Sequence, residues 1–172
     1  MSRSRNRSIR SSIAALSVVI LVTFGVAPVF ASGYASAFRG ITAYNAVFQF
    51  TSGDPGVANR VFWAVKNSYA DTAVRDLGIR PNIVVVFHGP VVNLISTNLT
   101  IFPDDVRSEV ELFQTTIRQM KQDGVKFEVC LYAVTMAGVD ETTILAEIDP
   151  VDNGFVSVIG YQMQGYAVVR IP

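Results

Sequence analysis

The sequence predicts a single α/β domain with a five-stranded, mainly parallel sheet and helices on both faces. Three observations carry that expectation. Short β-branched runs alternate along the chain with stretches of helical periodicity, the pattern of repeated βαβ units. The strand runs are continuously apolar, as strands covered on both faces are. Of the 172 residues, 50% are hydrophobic and 16% charged, which suits one folded core and excludes a disordered or low-complexity chain.

The first segment reads as targeting. Arg3, Arg5, Arg7 and Arg10 precede an apolar run from Ile13 to Phe24, then Gly25, Pro28 and a small-residue region from Ala31 to Ala37. This is the order of a secretory signal peptide over residues 1–31, or to 37 if cleavage follows Ala35-Ser36-Ala37. The rival reading is an uncleaved anchor from Ile13 to Ala31. Either way the domain, residues 44–172, is expected outside the cytoplasm, periplasmic or secreted, with no membrane contact once the signal is removed.

Asn45–Phe50 is the first expected strand. The turn cluster Thr51–Gly56 closes it, and Asp54-Pro55 is an N-cap and first-position pair. Val57, Val61, Phe62, Val65 and Tyr69 follow at helical spacing, with Gly78 as a stop. Ile83–Phe87 is a buried strand ending at His88-Gly89-Pro90. Val91–Ser96 reads as a short helix and Asn98–Phe102 as loop. In the next helix Val106, Val110, Phe113, Ile117 and Met120 form one apolar stripe, with acids at the start and Lys121 near the end. Lys126–Tyr132 is a strand, Asp140–Ile148 a short helix, and Phe155–Ile159 and Tyr166–Ile171 the final strands. Tyr161–Gly165 joins those two as a turn or short helix.

Charge and cysteine count narrow the function classes. The chain has 14 basic and 14 acidic residues, but four of the basic ones lie in the first ten positions. The remainder carries ten against fourteen, a net charge of −4, which argues against nucleic acid as a partner. One Cys and one His exclude a disulfide framework and a Cys/His metal cluster. No cofactor fingerprint is present, so no cofactor and no metal are expected.

Two residues carry the candidate chemistry. Cys130 sits toward the carboxyl end of its strand, where ligand sites of open α/β sheets gather. Strand alternation puts it on one face with Glu128 and Tyr132. A free Cys is also often simple core packing. A reactive one needs a cation or a helix N-terminus beside it. His88 ends another apolar strand and emerges at the same sheet edge. In a common doubly wound order the first strand separates the second and third, which sets these strand ends roughly 10 Å apart. The Thr51–Gly56 loop enters a helix but matches no phosphate-binding pattern, so it reads as a capped turn.

Several stretches resemble the DsrE/DsrF-like family of sulfur-relay proteins. They are Asn67-Ser68-Tyr69 in the first helix, Val86-Phe87-His88-Gly89-Pro90, Gly124–Cys130, and the closing Met163–Pro172. Their order spans about Tyr44 to Pro172. The resemblance implies a five-stranded, mainly parallel fold assembled as trimers or hexamers. It implies Cys130 as sulfur acceptor, holding a persulfide for relay from a donor protein to an acceptor protein. His88 falls on a family position and is carried as a nearby polar group. Many relatives have Asn and Thr two and three positions after the cysteine, where this chain has Tyr132 and Ala133. Two functions are therefore expected: a single-cysteine sulfur carrier or sulfurtransferase, or a non-catalytic binding or oligomer module that keeps the fold.

Overall fold

The computed structural model describes residues 34 and 36–172. The expected signal peptide, residues 1–31 and its extension to 37, lies almost wholly outside these residues. A parallel sheet in the order β4-β3-β2-β1-β5 forms the centre. Its strands are β1 (Tyr44–Phe50), β2 (Pro81–Phe87), β3 (Lys126–Cys130), β4 (Asp149–Val151) and β5 (Ala167–Ile171). All four neighbouring pairs are parallel. The α/β class, the five strands and helices on both faces are as expected.

The two faces are built differently. On one, Ala46, Phe48, Phe50, Ile83, Val85, Phe87, Phe127 and Val129 point into the main core. Helices α1 (Pro55–Ala70) and α3 (Asp104–Gln122) cover it. Phe62 of α1 is fully buried among Phe50, Phe87, Phe113 and Phe127, with ring centroids 4.5–6.2 Å away. The α3 stripe is as the sequence spaced it: Val110, Phe113, Ile117 and Met120 are buried. Asp54 caps α1, its Oδ1 accepting from the Val57 N–H at 2.7 Å. Two shorter helices, α2 (Thr72–Arg75) and α4 (Leu131–Met136), contribute Val74 and Val134 to the interior.

The other face has a small apolar cluster of Val47, Val84, Val86 and Val158. One ten-residue helix, α5 (Gly154–Met163), lies over it.

Four expectations are corrected. Phe155–Ile159 is not a strand but the first part of α5. Asn153 Oδ1 accepts from the Phe155 N–H at 3.0 Å and starts the helix, which overrides the β-favouring composition. The fourth strand is instead Asp149-Pro150-Val151, a three-residue edge strand where proline is tolerated. Asp140–Ile148 holds only a 3₁₀ turn at Glu141–Thr143, and Asn98–Phe102 contains another at Leu99–Ile101. Finally β3 ends at Cys130, and Tyr132 belongs to α4 rather than to the strand face.

Candidate functional site

β2 and β3 are direct neighbours, with Phe87 opposite Val129. The expected separation by the first strand does not occur, because β1 lies on the far side of β2. His88 and Cys130 therefore emerge side by side at the carboxyl ends of adjacent strands. Both line one cavity of about 540 Å³. Its remaining wall is mostly apolar: Pro90, Ala133, Met136 and Phe155 among others, with Asn93 and Asn153 as polar groups. No lysine or arginine lines it. Tyr132, lost from the strand face, reaches the same cavity from α4.

Cys130 sits at the junction of two helices. It is the residue before α4, and its side chain lies under the first turn of α5. A Cβ built on Gly154 would stand 2.9 Å from Cys130 Cβ and 3.3 Å from Val86 Cγ1. Only glycine lets α5 approach this closely. Cys130 is 6% exposed, a buried free thiol.

His88 is half-buried, and its ring meets Phe155 edge-on at 5.0 Å. Nε2 is buried and makes no hydrogen bond among the described residues. Burial first, and then the Arg170 guanidinium, hold the imidazole below the usual histidine value. Its neutral form is favoured, with one nitrogen free to accept.

Beside Cys130 lies a buried carboxylate that the sequence marked only as a strand neighbour. Glu128 accepts hydrogen bonds from Tyr161 Oη at 2.7 Å and from Ser157 Oγ, and pairs with Lys126 Nζ at 2.8 Å. Burial pushes its carboxyl up, but the bonds from Lys126, Ser157 and Tyr161 outweigh that and hold it below the usual range. Lys126 is raised in turn, first by Glu128 and then by Tyr161. The network ties α5 to β3. The signal for it was the helical spacing of Ser157 and Tyr161, hidden while this segment read as a strand.

The Thr51–Gly56 loop stays a capped turn. Its Gly53 packs against Pro90, where a Cβ would meet the proline Cβ at 2.6 Å. The loop thus braces the His88-Gly89-Pro90 corner without lining the cavity. Among the described residues no three potential metal ligands come together.

An open parallel α/β sheet, with a cysteine and a histidine at adjacent strand ends, defines the class of protein. Residues 44–171 match the DsrE/DsrF-like family, and the chain belongs to it. The fold is also similar to a solved protein of unknown function, MTH1491 from Methanobacterium thermoautotrophicum. That likeness has a TM-score of 0.56 and 22% identity, and covers 74% of this chain and 99% of the other. No curated protein matches.

Proposed function

We propose that this chain is a sulfur carrier that holds a persulfide on Cys130. The observation that supports it best is the shared cavity of Cys130 and His88. The Cys130 sulfur attacks the outer sulfur of a donor persulfide. A new S–S bond forms on Cys130, the donor's S–S bond breaks, and the donor leaves as a thiolate. The transferred sulfur keeps its oxidation state, so no outside oxidant or reductant is needed. A single thiol suffices for this step, although it has no resolving partner in its own chain. The His88 ring lines the cavity that the incoming donor enters, with its Nε2 buried behind that wall. An apolar wall without cations favours an organic persulfide over the thiosulfate dianion.

The proposal includes export and self-assembly. The basic, apolar, small-residue order of residues 1–37 supports a periplasmic or secreted location. The family resemblance favours a homo-oligomer, a trimer or hexamer. The exposed apolar residues of α5 suit that: Phe155 is 58% exposed and Met163 84%. Donor and acceptor are thiol or persulfide proteins or small molecules that can enter the cavity.

The burial of Cys130 favours a second reading, a non-catalytic module that binds at the same strand ends. Intact-mass measurement separates the two. The carrier gains one sulfur from an organic persulfide in the native state, at Cys130, and Cys130→Ser does not. A thiol that reacts only after denaturation means the module.

A further inference from the structure

A second cavity lies at the opposite end of the sheet, near the amino terminus of β1. Its volume is about 330 Å³, at the low end of the roughly 300–1,000 Å³ usual for ligand pockets. Four aromatic side chains line it: Tyr34, Phe38, Tyr44 and Trp63. Asp71 supplies the one charged group, and no lysine or arginine is present among its lining residues. We infer that this cavity binds a quaternary ammonium group.

The rings are held as a wall. Phe38 stands edge-on to Tyr34 at 6.1 Å and to Tyr44 at 5.4 Å, with interplanar angles of 87°. The Tyr44 hydroxyl donates to the Ser68 carbonyl at 3.1 Å, which anchors that ring to α1. Trp63 projects from α1 and is 71% exposed, an indole left in water rather than packed into the core. Phe38 and Tyr34 precede the stretch matched to the family, so half of this wall is particular to the chain before Tyr44.

Two of the polar side chains of the cavity donate to the backbone of α1. The Asn67 amide nitrogen donates to the Trp63 carbonyl at 2.8 Å, and Ser68 Oγ donates to the Val65 carbonyl at 2.7 Å. Asp71 Oδ1 accepts from the Ala73 N–H at 2.8 Å, while Oδ2 has only the long 3.4 Å contact from Tyr34. A primary ammonium brings three donors, which a wall of four aromatic rings and one carboxylate meets only in part. A quaternary ammonium has no donors to satisfy. It takes its attraction from ring faces and from the carboxylate charge. The site is independent of Cys130.

Trp63 is the only tryptophan, so its fluorescence reads the site directly. The probe is choline, titrated into the full chain at constant ionic strength. Its uncharged isostere dimethylbutanol serves as control. The expected result is a saturable change with choline and binding of dimethylbutanol at least ~10-fold weaker. Phe38→Ala should weaken choline about tenfold. Asp71→Asn keeps the helix cap and removes only the charge, so it tests the same point if Phe38→Ala folds poorly. No saturable change, equal binding of the isostere, or unchanged affinity in Asp71→Asn would overturn the inference.

Discussion

The two faces of the sheet differ in what they bury. The face under α1 and α3 is dry and aromatic, with five phenylalanines in mutual contact. The face under α5 is covered by one short helix and buries a carboxylate, a thiol and, at its edge, an imidazole. The first face is filled by an apolar set, with one buried amide, Gln114 of α3, donating to the Leu94 and Ser96 carbonyls at its margin. The second needs named partners, because each buried polar group costs free energy unless it is bonded. The large apolar core lies on the first face and the candidate site on the second.

The comparison breaks most sharply at Phe62. Phe62→Ala removes the ring at the centre of the aromatic cluster and should cost about 3–5 kcal/mol in chemical denaturation. The cavity containing Cys130 and His88 lies across the sheet, so any protein that still folds should match the parent in the proposed persulfide uptake. A loss below ~1 kcal/mol would mean that α1 and α3 are not the main source of stability.

Gly154→Ala tests how tightly α5 sits. The new methyl would be 2.9 Å from Cys130 Cβ, so either α5 or β3 must shift. The expected cost is roughly 1–3 kcal/mol, with faster native-state thiol labelling as the helix lifts. Unchanged labelling would show that α5 does not gate Cys130.

How much of this contrast was legible in the sequence follows from the same difference. The aromatic face announces itself through periodicity. The stripe from Val106 to Met120, the Asp54 cap and the run Ile83–Phe87 all take their expected places. The thin face does not. Phe155-Val156-Ser157-Val158-Ile159 has strand composition, yet only Val158 among them is buried and the segment is helical. Its start depends on one side-chain bond from Asn153, and its docking on Gly154 meeting Cys130. Both are tertiary facts without a periodic signature. Cys130 and His88 could be named as candidates, but their adjacency required the strand order, which no local pattern encodes.

Glu128 sharpens the contrast through pH. Its folded value lies below the usual carboxylate value of about 4.3, so the folded state favours the ionised form. The stabilisation is fully present above the unfolded value and is lost as pH falls through the folded value. Glu128→Gln should cost roughly 1–2 kcal/mol at neutral pH and flatten the acid limb of the stability curve. Denaturation at several pH values checks this. A variant that loses stability in acid as steeply as the parent would assign that limb to other carboxylates.

The smallest effect belongs to His88, and it is the most cleanly resolved because this is the only histidine. Its ring resonances should titrate below the usual value of about 6.5. The sign follows from the neutral form being favoured in the fold. The contribution to stability is present above the unfolded value and fades as pH falls through the folded one. Burial is the larger cause and Arg170 the smaller. Phe155→Ala removes the ring packed edge-on against the imidazole and opens it to water, so the midpoint should move most of the way back. Arg170→Gln removes one like charge and should move it a shorter distance in the same direction. Proton NMR titration of the three proteins measures both steps. If Arg170→Gln gives the larger shift, charge rather than burial governs the site. If the parent titrates at or above the usual value, His88 is solvated, and burial does not set its protonation state.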